Sequence, residues 1–417
     1  MPFWKFINSL EKERKIIFKK LINITLILVL LISFAGPILA QEEAVEAEPT
    51  ASEIFTEALS DYNQGNYALA EEKFNNLIEN KKLDEGLKFS VLYYSTMTAV
   101  NRNQSVKAVN YLKRMNELGY QSGKLNWLVG ELYLNKNNQF DSADFEEALK
   151  YLKTAEELGV QDIQFKRDLA YVYLENNDLN KAKELYQKII NNKPTAVDYL
   201  NLARIEEENE NLNQAVKYYE SALELNGSQS SLYLNLGNLY QKIENYNSAV
   251  SIFKQGIKMR DDFAPYYIGL GESYLKLGNY DEAESALKKA VKINSNSYYG
   301  YYLLGQIEKK RGNFDQALNY YSQSLKYNNN YVQAYLAEGR IHLEREENYR
   351  AISRFSLAVE KNLEYTESRY YLGLAYYRAD MLEAARAELR KALHINDNYQ
   401  DARKLLDEVE TELGINN

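Results

Sequence analysis

Small and large apolar residues recur along this chain with a 34-residue period, which is its dominant pattern. Glycine holds one position, alanine follows twelve residues later, a large apolar side chain four after that, and a small residue three further on. From residue 230 onward these positions are filled by Gly237, Ala249, Phe253 and Gly256; Gly271, Ala283, Leu287 and Ala290; Gly305, Ala317, Tyr321 and Ser324; Gly339, Ala351, Phe355 and Ala358; Gly373, Ala385, Leu389 and Ala392.

The same positions continue toward the N-terminus with looser spacing. The glycine position becomes Ala203, Ala170, Gly130, Thr96 and Ala58. Ten units therefore span about residues 51–399. Each unit places apolar residues three, four and seven apart in two separate groups, which predicts two short amphipathic helices. Segments such as "LGNYD" and "RGNFD" separate the two groups and predict the turn, since Gly and Asn tolerate turn conformations.

These positions resemble those of the tetratricopeptide repeat, whose unit has small residues at positions 8, 20 and 27 and a large one at 24. The unit from Ala264 to Ser297 also has Tyr267, Leu270 and Tyr274 at consensus positions 4, 7 and 11. The resemblance implies an all-α fold, a right-handed superhelical solenoid of antiparallel helix pairs. The second and third units end in "NELGYQSG" and "EELGVQD", which are slightly similar to Sel1-type repeats.

The regularity of the units predicts how the chain is organised. We expect an irregular N-terminal block of repeats over residues 51–162 and a regular array over 163–399. Six extra residues lie within "NKNNQFDSADFEE" in the irregular block. Residues 400–417 predict a capping helix and a tail, because a solenoid needs a polar face at its end. The apolar face of this cap comprises Ala402, Leu405, Leu406, Val409 and Leu413.

The N-terminal segment, residues 1–40, has a different character. Six basic residues lie in its first half, and the uncharged stretch "LINITLILVLLISFAGPILA" follows from Leu21 to Ala40. This order is typical of a secretory signal peptide cleaved after Ala40. The alternative is an uncleaved membrane anchor at residues 21–40, because about 20 apolar residues span a bilayer. Both interpretations predict an exported, periplasmic or extracytoplasmic protein with an acidic linker at residues 41–50.

The amino-acid composition of the chain excludes several classes of function. The chain has no cysteine and only two histidines, so thiolate chemistry is excluded and a histidine-rich metal site is not expected. A net charge of −9 argues against nucleic-acid binding through a basic surface. The Gly269-x-Gly271 pair begins like a phosphate-binding loop, but no strand precedes it and no third glycine follows. We predict no catalytic residues, no cofactor and no metal.

The resemblance implies where a partner would bind. In tetratricopeptide arrays, first-helix positions 2, 5, 6, 9, 12 and 13 commonly line a concave groove. The candidate groove residues here are Arg167, Asp168, Asn201, Arg204, Asn235, Asn238, Tyr299, Tyr302, Tyr370, Tyr371 and Tyr377. Asparagine both donates and accepts hydrogen bonds, so a ladder of Asn201 and Asn235 could hold an extended peptide backbone. We expect Gly269 to face the same groove.

The sequence therefore favours a non-enzymatic scaffold that binds protein or peptide segments. With the export signal, this predicts a role in assembling or organising a cell-envelope complex. Two alternatives are a self-associating structural protein, which would form a homo-oligomer, and an accessory factor of polysaccharide or protein export machinery. Contact with a membrane is expected only through the N-terminal segment.

Overall fold

A computed structural model describes residues 48–80, 82–134 and 144–415. All regular secondary structure in these ranges is α-helical, in 21 helices, so the predicted all-α fold is confirmed. The predicted signal or anchor, most of the acidic linker and most of the six-residue insertion lie outside the described residues. None of the helices in the described ranges has the length and apolar character needed to cross a membrane.

The chain divides into two compact units, with the boundary between Val91 and Leu92. The first unit contains α1 (Ala51–Gln64) and α2 (Tyr67–Asn80). Thr50 caps α1 in a reciprocal arrangement with Glu53, which satisfies backbone donors at the helix start. The Phe55 and Phe74 rings lie 6.0 Å apart between the two helices. Helix α3 (Glu85–Asn101) contains the boundary.

The rest of the second unit is a succession of helices of nearly constant length. They are α4 (Ser105–Glu117), α5 (Gly123–Leu134), α6 (Phe145–Glu157), α7 (Ile163–Glu175), α8 (Leu179–Ile190), α9 (Ala196–Glu208), α10 (Leu212–Leu225), α11 (Ser230–Lys242), α12 (Tyr246–Met259), α13 (Ala264–Lys276), α14 (Tyr280–Ile293), α15 (Tyr298–Lys310), α16 (Phe314–Tyr327), α17 (Val332–Glu344), α18 (Asn348–Lys361), α19 (Thr366–Arg378), α20 (Leu382–Ile395) and α21 (Gln400–Glu412).

We now use unit for one repeat. From α5 to α19, each odd-numbered helix is the first helix of its repeat and packs on the even-numbered helix that follows. Position 1 of a unit is the first residue of its first helix. The turn between the two helices needs a left-handed residue at position 15, with φ near +60° to +80°. Glycine occupies this position at Gly278 and Gly312, where it adopts the conformation without steric penalty. Elsewhere the position holds Asn177, Glu210, Glu244, Glu346 and Asp380.

The glycines at position 8 allow the two helices of a unit to approach closely. A Cβ atom added to Gly271 would lie 2.5 Å from Cγ of Leu287, the position-24 side chain of the same unit. The other four glycines of this set face their own position-24 side chains in the same way. The predicted packing role of these glycines is therefore confirmed, although glycine weakens a helix by about 1 kcal/mol relative to alanine.

The position-24 side chain also contacts the residue at position 6 of the next repeat. It therefore packs between two consecutive repeats, and we call it the wedge. The pairs are Tyr186 with Asn201, Tyr219 with Asn235, Phe253 with Gly269, Leu287 with Leu303, Tyr321 with Ala337, Phe355 with Tyr371, and Leu389 with Leu405. In two of these pairs position 6 complements the larger side chain, since Asn201 donates to the Tyr186 hydroxyl and Gly269 leaves room for the Phe253 ring. The Phe355 and Tyr371 rings stack with centroids 5.4 Å apart.

Helix α21 closes the array as the sequence predicts. Ala402, Leu405 and Val409 are buried and pack with Leu389 and Ala392 of α20. Glu410 accepts hydrogen bonds from Arg386 and Arg390, which fastens the charged side of the cap to the preceding helix. The last unit thus buries its apolar face without a further repeat.

Candidate binding groove

In the second compact unit, the accessible side chains at first-helix positions 5, 9, 12 and 13 form a surface that we call the groove; in some repeats a residue at position 5 or 12 is buried, as Leu336 is. Across α13, α15 and α17 the groove opens into a cavity of about 760 Å³. Position 5 contributes Tyr302, and position 9 contributes Gln306 and Arg340. The remaining groove residues of the cavity are Leu275, Lys276, Lys309, Lys310 and Glu344. A cavity of this volume is in the range that holds several side chains of a ligand.

The cavity is predominantly basic. Lys276 and Lys310 occupy position 13 in consecutive units, and Lys242 occupies it one unit earlier. All three side chains are exposed. Lys309 is paired with Glu344 at 2.8 Å. The guanidinium of Arg340 lies 4.4 Å from the ring centroid of Tyr371 and also contacts Glu367.

Tyrosines form a connected cluster beside this basic surface. The Tyr302 ring lies 6.2 Å from that of Tyr299 and 5.1 Å from that of Tyr331. The Tyr302 hydroxyl accepts a hydrogen bond of 2.8 Å from Nε2 of Gln306, and the Tyr299 hydroxyl donates to Glu272. Burial raises the pKa of Tyr299, Tyr302 and Tyr331, so these phenols stay neutral at physiological pH. The cluster can act as a rigid amphipathic contact surface.

The predicted asparagine ladder is wrong as a ligand site. Asn201 is only 6% exposed, and its Nδ2 donates a 2.7 Å hydrogen bond to the hydroxyl of Tyr186 in the preceding unit. Asn235 makes the corresponding bond to Tyr219. Both asparagines occupy position 6, which lies against the preceding second helix. The Asn201 amide satisfies the buried hydroxyl of Tyr186, whereas the Tyr219 hydroxyl also donates to Glu207 at 2.5 Å.

Gly269 occupies the same position, and the prediction that it faces the groove is also wrong. It is buried, and a Cβ atom there would overlap the ring of Phe253. The wedge of this unit is a phenylalanine without a hydroxyl. Position 6 therefore supplies space for the ring instead of a hydrogen bond.

Arg167 and Asp168 both have partners within the fold. Nε of Arg167 lies 3.0 Å from Oδ1 of Asp198, whose side chain is only 1% exposed. Arg167 also donates to the carbonyl oxygen of Lys193, at 2.7 Å. The Asp168 carboxylate accepts from Nε1 of Trp127 at 2.7 Å and from Gln164 at 2.9 Å. Arg167 thus links consecutive units, and Asp168 holds α7 to α5.

A second part of the groove contains predicted residues that are accessible. Arg204 lines a cavity of about 290 Å³ with Glu207 and Glu208, and it pairs with Glu175 at 3.3 Å. Asn238 is exposed one unit further on. The assignment of these two residues to peptide binding stays a prediction.

The three predicted tyrosines of α19 belong to the C-terminal packing. The Tyr370 ring lies 5.1 Å from that of Tyr371 and 5.3 Å from that of Tyr399. The Tyr377 hydroxyl donates to Glu412 of the capping helix at 2.7 Å. These contacts stabilise the end of the array. Of the predicted tyrosines, only Tyr302 lines the large basic cavity.

Several groove residues were missed from the sequence although a signal for them exists. Lys242, Lys276 and Lys310 recur at 34-residue spacing, as do Tyr331, Tyr365 and Tyr399. The tyrosines occupy position 34, just before the next first helix. They therefore fall outside the six positions that the resemblance singles out.

Two further ionisable side chains of the second compact unit, Glu131 and His342, interact with neighbouring residues of the fold. Burial raises the pKa of Glu131, and the neighbouring Asp168 carboxylate adds to the effect. His342 is buried with Nδ1 2.6 Å from Oε2 of Glu347, next to the turn into α18. Within the described ranges, no three His, Asp or Glu side chains are grouped so that they could hold a metal ion.

The second compact unit, Leu92–Asn417, is an α-solenoid, because its helix pairs stack and leave an accessible groove. Proteins of this class bind other proteins. Tetratricopeptide repeat models match residues 139–205, 262–330, 302–362 and 336–403. This chain belongs to the tetratricopeptide repeat family. A model of the anaphase-promoting complex, cyclosome, subunit 3 also matches residues 208–290. No curated protein matches the sequence.

One solved structure shares the fold over part of this chain, and two others are reported as similar to it. A tetratricopeptide repeat protein from Parabacteroides merdae is 19% identical, covers 59% of this chain and 98% of its own, and has a TM-score of 0.50. Yeast Tom70 is 14% identical over 88% of this chain and 96% of its own, with a TM-score of 0.47. YrrB, described as a TPR protein with an unusual peptide-binding site, is 23% identical over 45% and 96%, with a TM-score of 0.36.

Proposed function

We propose that this protein is an exported scaffold that binds an extended segment of a partner protein in its groove. The observation that carries the proposal is the cavity across α13, α15 and α17. There exposed cationic side chains and a neutral tyrosine cluster lie on one accessible surface. Tyrosine and arginine are the side chains most often found at energetic centres of protein interfaces. The scaffold would help assemble or organise a complex of the cell envelope.

Site-specific crosslinking tests the groove in living cells. A photoreactive amino acid replaces Lys310 in the groove, and in a matched control it replaces Lys289, an exposed lysine on α14. We expect a discrete crosslinked protein from position 310 and none from position 289, because only the groove holds the partner. Tyr302→Ala should reduce the yield about tenfold, as the loss of a contact worth about 1.4 kcal/mol would. Equal crosslinking at both positions, or none in the groove, would contradict the proposal.

Export is tested separately. Removal of the signal predicts a mature chain that begins at Gln41, which N-terminal sequencing of the protein from cells would detect. Replacing Leu28 and Leu30 by Arg should retain the chain in the cytoplasm, because charges in the apolar stretch block its recognition and insertion. An unprocessed, membrane-bound chain would support the anchor alternative. A chain in the cytoplasm without the substitutions would overturn the proposal of export.

A further inference from the structure

We propose that the occupant of the groove is an acidic extended segment, whose carboxylates bind the row formed by Lys242, Lys276 and Lys310, with Arg340 beyond it. This inference rests on the proposed function, since it concerns the same groove, and it specifies the chemistry of the partner. The occupant is a protein segment with Asp or Glu at regular intervals.

The lysine row is basic although the protein as a whole is acidic. The chain has a net charge of −9, yet position 13 holds lysine in three consecutive units. Lys276 and Lys310 form no salt bridge with any described residue, and both line the cavity together with Arg340. A row of unpaired like charges favours an anionic ligand.

Arg340 adds a donor at the end of this row. Its guanidinium is held over the Tyr371 ring and contacts Glu367, so its position is determined by the fold. Its Nε atom has no hydrogen-bond acceptor among the described residues. Because this Nε atom is buried, a carboxylate in the cavity would interact with the part-exposed guanidinium group through its positive charge.

The spacing of the row fits an extended chain. Neighbouring first helices touch directly, as shown by the 3.0 Å hydrogen bond from Nε2 of Gln241 to the carbonyl oxygen of Gly269. Helices in contact lie about 8–10 Å apart. A chain in the extended polyproline II conformation advances about 3.1 Å per residue with three residues per turn, so every third side chain lies on the same face and meets the next lysine. The occupant would therefore carry a carboxylate at about every third position.

The cavity also accepts apolar side chains between the carboxylates. Leu275, Tyr302, Tyr321 and Ala337 line the same space as the cations. In such a chain the two residues between successive carboxylates point away from the lysine row, so some of them would contact these apolar groups. The expected segment is acidic and amphipathic rather than a plain run of glutamates.

The test measures fluorescence anisotropy of labelled 12-residue peptides with the full chain. The peptides repeat Glu-Leu-Ser, Gln-Leu-Ser or Lys-Leu-Ser and differ only in charge. We expect binding of the glutamate peptide alone, weakened at least tenfold by Lys276→Glu/Lys310→Glu and reduced by added salt. The matched control, Lys289→Glu/Lys292→Glu on α14, makes the same change in net charge away from the groove and should stay within twofold. Circular dichroism checks that both variants fold.

The outcomes separate this inference from the proposed function. If the glutamate peptide does not bind better than the others while position 310 still crosslinks to a partner, the acidic preference is overturned and the scaffold stands. If the peptide fails and the groove also gives no crosslink, both are overturned. If a 12-nucleotide single-stranded DNA binds more tightly than the glutamate peptide, with the same dependence on Lys276 and Lys310, the occupant is a nucleic acid and the inference is wrong.

Discussion

Replacing Arg167 by Met is expected to lower the free energy of unfolding by about 3–5 kcal/mol, the usual effect of breaking a buried ion pair from one side. The Asp198 side chain is only 1% exposed, and Arg167 is its cationic partner at 3.0 Å. Without the guanidinium, Asp198 keeps its hydrogen bonds from Thr195 but remains a buried charge without compensation. Urea denaturation followed by helical circular dichroism measures the change.

Arg204→Met is the matched control. The same sequence pattern predicts Arg204 and Arg167 as groove residues, but Arg204 is 46% exposed and its partner Glu175, at 3.3 Å, is 24% exposed. An exposed pair contributes less than about 1 kcal/mol, so this variant should change stability little. The double variant Arg167→Met/Asp198→Leu should recover part of the loss, because it leaves no buried charge but also removes the bonds that Asp198 accepts from Thr195 at the start of α9. A loss below about 1 kcal/mol for Arg167→Met would show that the pair does not join the units.

Gly269→Ala is expected to destabilise the protein by about 1–3 kcal/mol, although alanine is the better helix former. The added Cβ atom would overlap the Phe253 ring, which is fully buried between repeats. The sign of the change distinguishes packing from helix propensity, since propensity alone would give a gain of about 1 kcal/mol. The same denaturation experiment measures it.

Phe253→Leu tests whether the two positions act as a pair. Leucine is the wedge of the next unit, where Leu287 lies beside Leu303. The double variant Phe253→Leu/Gly269→Ala should be more stable than the sum of the single losses predicts, with a coupling energy of about 1 kcal/mol or more. Gly86→Ala serves as control, because its added Cβ would meet only Asp84 Oδ1, at 3.5 Å. Strict additivity would indicate that Gly269 and Phe253 do not constrain each other.

Much of the fold could be predicted because its causes repeat along the chain. The glycines at position 8 contact the position-24 side chains of their own units. Each of those contacts joins two residues of the same repeat, at a fixed spacing that the sequence displays directly. The helix pairs and the cap at Gln400–Glu412 follow from the same local periodicity.

Predicting the groove from the same pattern was less reliable, and position 6 shows why. Asn201 has a polar side chain on a first helix, which is typical of a solvated face. In the structure it is buried, because its amide pairs with Tyr186 of another unit. A helical face can be read from its own residues, but its exposure depends on what the neighbouring repeat places against it. The polarity of Asn201 marks a buried partner rather than a ligand.

The sequence by itself determined that the chain forms ten helical pairs and a capping helix, because amphipathic periodicity and turn chemistry are local properties. It also determined the charge of the lysine row, which is visible as a lysine at the same position of three consecutive units. Only the tertiary structure decided which first-helix positions are accessible. Each first helix packs against its own second helix and against helices of neighbouring units, and the first-helix residues that line the cavity around Tyr302 come mainly from positions 5, 9, 12 and 13. The groove is therefore a product of how repeats stack.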